Sequence, residues 1–234
     1  MKDTEYYNKE SSYYSDKRYP DISRDYTHFF FKKRLSILLN ILKKISCRKK
    51  GQNLLEVGCA DGFVSLAIND LHIFENITGI DVSADMIQKA IENNHFPQVS
   101  FFVRGQENLS ALYDVIVEVG VLNLTNEISE FEYAKKHLKQ NGYYICSIAA
   151  NTSIRSRLKF KKDGSGFSHL LTFKEYERKM SEKFEIVKSI PYGFFIPYLW
   201  KFAVIGRILQ PSESILRSFA PNLFHEKAYL LKKK

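Results

Sequence analysis

At 234 residues and 44% apolar content, the chain can bury one sizeable core, so a single domain with decorations is expected. Its three cysteines, Cys47, Cys59 and Cys146, are widely spaced and odd in number; this suits a reducing compartment and offers no metal-ligand spacing. The net charge of +9 comes largely from runs at Lys32–Arg34, Lys43–Lys50, Arg155–Lys162 and Lys232–Lys234, which read either as solvated faces or as attraction to phosphate on nucleic acid, anionic lipid or a phosphorylated substrate.

The opening residues, MKDTEYYNKE, lack the basic and apolar regions of a signal peptide, and a cytoplasmic protein is the expectation. Residues 1–27 are polar and carry six tyrosines, and read as a loosely packed arm or short cap helices. From His28 to Ile45, Leu35, Leu38, Leu39 and Leu42 recur at three- and four-residue spacing, the mark of an amphipathic helix. Residues 1–50 are therefore taken as an arm and cap helix, and residues 51–234 as the main domain.

Strands and helices then alternate. NLLEV reads as a strand and Gly62–Asp70 as a helix; NITGID is a strand, and Ser83–Asn93 a helix with Ser83 as N-cap. VSFFV and YDVIVEV are strands, Glu127–Leu138 a helix, and YYICSIA a strand after a turn at Asn141–Gly142. Such alternation builds a mostly parallel sheet covered on both faces. Later, KKDGSGFSH is a loop, Thr172 with Glu175 forms a capping-box signature, and FEIVKSI and FHEKAYLLKK read as strands. Between these two strands lies an aromatic and aliphatic insert, about residues 192–222, in which Pro197, Lys201 and Arg207 argue against spanning a bilayer.

The stretch LLEVGCADGFVS carries the chemistry. A dinucleotide fingerprint would need glycines where this loop has Gly58, Ala60 and Phe63, and Phe63 cannot supply the close helix–strand approach beneath a pyrophosphate. No Gly-Lys-Ser/Thr follows, which disfavours nucleoside triphosphates. What the loop offers is Glu56 at the strand's end, repelling a pyrophosphate but attracting a cation, then small residues at 58, 60 and 62 that let backbone approach a ligand. Ala60 permits approach but disfavours positive φ. The next strand ends in Asp81, 25 positions after Glu56, where a carboxylate can accept two hydrogen bonds from vicinal ribose hydroxyls. A nucleoside joined to a cationic, amino-acid-like group without phosphates fits these demands, and S-adenosyl-L-methionine (SAM) has that composition.

LLEVGCADGFVS together with ITGIDVSADMIQKA resembles the first two cofactor motifs of class I SAM-dependent methyltransferases, a likeness that runs roughly from Gln52 to Ile148. The resemblance implies a Rossmann-like α/β fold whose seven-stranded sheet has an antiparallel last strand, with FEIVKSI and FHEKAYLLKK as its final pair. It implies SAM as cofactor and S-adenosyl-L-homocysteine as product. Glu56 would orient the methionyl ammonium, and Gly58, Cys59, Ala60 and Gly62 would line the methionine moiety. Asp81 would hold the ribose, with Val82 and Met86 flanking adenine. Gln106 stands where an Asp commonly reads the adenine amino group, with the Glu107 backbone beside it; a Gln amide oxygen can still accept from that amine. Glu118 or its backbone would lie near the sulfonium.

Outside these motifs, His169, after the Gly164–Gly166 loop, is the candidate base for a hydroxyl acceptor, with backbone capping as its bland alternative. Asn123 would orient an acceptor or simply form a turn, and Met86 serves equally as core. The insert either completes the core, lids an apolar acceptor pocket through residues such as Tyr198 and Trp200, or rests in a membrane interface. The expected activity is methyl transfer from SAM to an oxygen or nitrogen of a small or lipid-linked acceptor. RNA or protein methylation, and a SAM-binding regulator or scaffold without turnover, stand as alternatives. The fourth strand, ending EVGVLNLT, lacks the Asn/Asp-Pro-Pro-aromatic pattern of many adenine-N6 enzymes.

Overall fold

The computed structural model of the chain describes residues 10–46, 51–106, 112–153, 170–196 and 199–234. Among these, the elements run α1 (Tyr14–Arg18), α2 (Tyr26–Ser46), β1 (Asn53–Val57), α3 (Phe63–Asn69), β2 (Asn76–Asp81), α4 (Ala84–Asn93), β3 (Val99–Val103), β4 (Tyr113–Val119), α5 (Glu127–His137), β5 (Leu138–Ala149), α6 (Phe173–Ser181), β6 (Phe184–Tyr192), α7 (Ala203–Phe219) and β7 (Glu226–Lys233). The seven strands form one sheet in the order β3-β2-β1-β4-β5-β7-β6. β1 pairs in parallel with β2 and β4, while β7 is antiparallel to both β5 and β6. The expected architecture, including the antiparallel last strand, is the one observed.

Local chemistry sets several boundaries. The Ser83 hydroxyl accepts from the Met86 amide and caps α4, and Asn126 does the same for α5 through Ile128 and Ser129. Thr172 and Glu175 close a reciprocal capping box on α6. The turn expected at Asn141–Gly142 is absorbed into β5 as an irregularity: Tyr113 faces Leu138, Val115 faces Tyr143, and Asn141 takes φ +62°.

Apolar residues alternate across the sheet and feed two layers. On one face, Leu54, Val115, Val117 and Ile145 pack with Phe30, Ile37, Leu38 and Ile41 of α2; on the other, Leu55, Ile116, Tyr144 and Cys146 pack with Phe131 and Tyr176. The cap helix thus shares a core with the sheet. The insert is divided in the same way. Phe195 is buried, with Phe194 and Ile196 against the core, whereas Val204, Ile215 and Phe219 of α7 are exposed. Ala149 pairs with Glu226, and Glu226 with Tyr192, so the insert stands at the sheet end where β1, β2, β4 and β5 also terminate.

Candidate active site

The chain leaves β1 through a tight loop that only small residues can form. Gly58 has φ +75° and a Cβ there would lie 2.2 Å from Val121 Cγ2; Gly62 has φ +81° and a Cβ would meet Phe101 Cζ at 2.8 Å. Ala60 adopts φ +48°, a left-handed conformation that costs an L-residue about 1–2 kcal/mol. The amides of Gly58 and Cys59 both donate to the Ile80 carbonyl, tying the loop to the end of β2. Ala60 N–H donates to Asp81 Oδ2 at 3.0 Å, and Ser83 N–H to Asp81 Oδ1 at 2.9 Å. Burial raises the Asp81 pKa, with these backbone donors and Arg104 opposing.

Glu56 is buried and accepts a hydrogen bond from the Ser65 hydroxyl of α3. Burial pushes its pKa up to about 8; the Ser65 hydroxyl opposes this, while the charges of Asp81 and Asp61 reinforce it. Three carboxylates, Glu56, Asp61 and Asp81, therefore gather around one loop. A pyrophosphate is repelled here, and an ammonium supplied by a ligand would relieve the charge.

The arm closes over this loop. Ser15 of α1 gives Asp61 two hydrogen bonds, from its amide at 3.0 Å and its hydroxyl at 2.6 Å. Tyr19 stacks on Phe63 with ring centroids 4.4 Å apart, and Arg18 lies 3.5 Å over the Tyr14 ring. Burial raises the Tyr14 hydroxyl pKa; Arg18 and Arg34 oppose this and Asp81 and Asp61 add to it, so Tyr14 sits within reach of the same acids.

From the other side comes Arg34 of α2. Its Nη2 donates to Glu226 Oε1 at 2.6 Å and its Nε to the Tyr192 hydroxyl at 3.3 Å. Burial alone would raise the Glu226 carboxyl, but Arg34, His225 and the Tyr192 hydroxyl together outweigh it and lower the pKa. Nη1 would come within 2.7 Å of a Cβ at Gly120, just past β4, and has no hydrogen-bond partner among the described residues. One edge of a fixed cation is thereby presented at the carboxyl end of β4.

The structure brings Glu56, Gly58, Cys59, Ala60, Gly62 and Asp81 together at this end. Val82 is exposed beside Asp81, whereas Met86 is 1% exposed and packs as core. Gln106 is exposed two residues after Arg104, whose amide donates to the Asp81 carbonyl. Glu107, His169 and Tyr198 lie outside the described residues, and of Trp200 only the backbone, in a turn at Leu199–Lys201, is described.

At three places the structure chooses between the alternatives that the sequence left open. Glu56 pairs with Val117, so the next residue on β4, Glu118, turns its side chain to the opposite face. There it accepts from the Tyr144 hydroxyl at 2.5 Å, and burial, opposed by Tyr144, pushes its pKa up to about 8. Only its backbone stays near the loop. Asn123 spends both ends of its amide on Ala149, accepting from N–H at 2.9 Å and donating to C=O at 3.1 Å, so it locks the β4 and β5 ends rather than facing an acceptor. Arg34, counted above in a basic run, is not a solvated charge. Its position was legible: it falls on the same helical stripe as Phe30, Ile37, Leu38 and Ile41, where a cation must find a partner. Asp61 stood inside the quoted motif, but nothing local foretold its partner Ser15.

A family model described as a methyltransferase domain matches residues 48–195, more than half of the chain. The chain belongs to this family, the class I SAM-dependent methyltransferases. Two curated relatives are malonyl-(acyl-carrier protein) O-methyltransferases. That of Bacillus cytotoxicus is 29% identical over 129 residues, covering 53% of this chain and 45% of that protein; that of Bacillus cereus is 28% identical, covering 50% and 44%. The chain thus matches less than half the length of these relatives. Among solved structures, magnesium protoporphyrin IX methyltransferase from Synechocystis PCC 6803 with bound S-adenosyl-L-homocysteine superposes with TM-score 0.70 at 12% identity, over 99% of this chain and 98% of that one. The N-methyltransferase NodS from Bradyrhizobium japonicum with the same product gives 0.67 at 15% identity, over 99% and 97%. At such identities the likeness concerns the fold, which this methyltransferase shares from end to end.

The family's cofactor can be tested against the residues present. A buried carboxylate short of a cation at Glu56, backbone that admits no Cβ at Gly58 and Gly62, and a carboxylate at the end of β2 all fit SAM. The excess of acids does not fit a phosphate-bearing nucleotide.

Proposed function

We propose that this methyltransferase moves a methyl group from SAM to an oxygen or nitrogen of a small or lipid-linked acceptor. The observation that carries the reading is the convergence of Glu56 and Asp81 on one glycine-bent loop, with the open edge of Arg34 opposite. SAM supplies a methyl group already activated by its sulfonium. The chain's own residues bind, orient and shield. Glu56 would accept from the methionyl ammonium, Arg34 Nη1 would pair with the methionyl carboxylate, and Asp81 would accept from the ribose hydroxyls. Arg34 is fixed in advance by Glu226 and Tyr192, so the charge pair forms without reorganising the site. Tyr14, Tyr19 and Arg18 of the arm cover the loop and keep water from it.

The acceptor class draws support from the family to which the chain belongs; Phe30, Tyr192, Phe195 and Tyr26 beside the site are packed as core, at ring distances of 4.8–5.4 Å. It also accords with the acyl-carrier-protein and porphyrin acceptors in the names of the relatives. For a hydroxyl acceptor, His169 is the base we assign. His169→Gln then lowers kcat and removes an acid limb from its pH profile while leaving SAM affinity unchanged.

The decisive experiment follows methyl label from SAM into lipid, small-molecule, RNA and protein pools of a cell extract. Label in the lipid or small-molecule pool supports the reading. Label confined to RNA or protein overturns the acceptor class, and SAM binding without transfer to any pool favours a regulator.

A further inference from the structure

The outward face of α7 has no role in the site described above. Gly206 packs against Phe29 of α2, where a Cβ would come within 2.2 Å of the ring, and Glu213 is 2% exposed, accepting from the Tyr26 hydroxyl and pairing with Arg217 at 3.4 Å. These contacts fix which side of the helix looks inward. On the other side, Val204 is 56% exposed, Ile208 61%, Ile215 64% and Phe219 83%, with Phe202 at 56% where the helix begins. At 100° per residue, Val204, Ile208, Ile215 and Phe219 fall within one narrow arc of a helix about 25 Å long, so apolar side chains point outward near both of its ends. Arg207 borders this arc and is exposed.

Charge decides what could cover this outward side. From Gly193 to Phe219 there is one acid, Glu213, which is turned inward and paired with Arg217, while Lys201 and Arg207 supply the exposed cations. The chain as a whole carries +9. That side is convex and one helix wide, and no helix among the described residues is long and apolar enough to cross a membrane. A helix of this kind lies in the plane of an interface, its apolar edge among the headgroups and its basic flank against lipid phosphate. α7 also stands at the sheet end that carries Glu56, Asp81 and Arg34.

We propose that α7 docks this protein on an anionic membrane surface, with the site end of the sheet facing the bilayer. The surface stands independently of the methyl-transfer reading, since it can be tested without turnover. Trp200, the one tryptophan of the chain, lies three residues before α7 and serves as a built-in reporter.

The test is co-sedimentation of the full chain with vesicles of phosphatidylcholine mixed with phosphatidylglycerol, against phosphatidylcholine alone. The expected result is binding to the mixed vesicles, a blue shift of Trp200 emission, and weakening by added salt. Ile215→Asp/Phe219→Asp, two exposed positions, weakens vesicle binding by about tenfold or more with unchanged melting temperature and SAM affinity. Absence of binding to anionic vesicles, or equal binding by the double variant, overturns the proposal. So does a dimer in solution that the double variant dissociates, which assigns the outward side of α7 to a second copy. In each of these outcomes, methyl-label transfer to a water-soluble acceptor still reports separately on the activity.

Discussion

Two sides of the same site are built by different means. On the β1–β2 side, the bonds that hold the two site carboxylates come from residues close in sequence: Ala60 reaches Asp81 across 21 positions and Ser65 reaches Glu56 across nine. Opposite it, Arg34 meets Glu226 across 192 positions and Tyr26 meets Glu213 across 187. The local side depends on backbone geometry that tolerates no extra atoms. The distant side depends on buried charges that tolerate no missing partner.

The largest expected effect tests the distant side. Glu226→Ala leaves the Arg34 guanidinium uncompensated in a largely buried position and costs about 3–5 kcal/mol of stability, measured by denaturant unfolding. Arg34→Met combined with Glu226→Leu recovers most of that loss while SAM affinity stays low, because a carboxylate anchor is missing. Full SAM affinity in the double variant would remove Arg34 from the site.

Next comes the local side. Gly58→Ala forces a Cβ to 2.2 Å from Val121 at φ +75°, with an expected loss of about 2–4 kcal/mol in stability and weaker SAM binding. Asp81→Ala, at a half-buried position, weakens SAM by about 1–3 kcal/mol by calorimetry, from lost charge-assisted hydrogen bonds. An unchanged dissociation constant would contradict the ribose assignment.

A pH series separates the acids. Glu56 is held protonated up to about 8, against an ordinary value of 4.5, so below pH 8 the free protein carries a proton that an incoming ammonium must displace. SAM affinity should rise with pH by as much as about tenfold per unit until that value, then level off, and Glu56→Gln should flatten the curve. Stability runs the other way. The unfolded carboxyl loses its proton near 4.5 while the folded one keeps it to about 8, so unfolding becomes easier as pH rises through this window, for Glu118 as for Glu56. The smallest effect is Ala60→Gly, which relieves φ +48° and gains up to about 1 kcal/mol in unfolding experiments.

Much of the cofactor half could be read from the chain because its chemistry is local. Strands β1 to β4 have the bounds that their apolar runs predict, Ser83 caps the helix it precedes, and the small residues of the loop are demanded by its turn. The β-strand period even contains the answer for Glu118: counting alternate residues from Glu56, once Val117 is known as its neighbour, puts the carboxylate on the far face. That neighbour is the fact sequence alone withholds, because register between β1 and β4 depends on packing across 61 residues.

By itself, then, the sequence determined the alternating α/β order, the bent loop after β1, and the acids at the ends of β1 and β2. Hydrogen bonding and steric demands within a few residues suffice for these. Only the tertiary structure decided that Ser15 grips Asp61, that Arg34 turns inward to Glu226, that Asn123 is spent on Ala149, and that α7 keeps one apolar side outward. Each of those depends on which surfaces meet when distant segments bury their apolar faces, a choice made by the summed packing of the whole core.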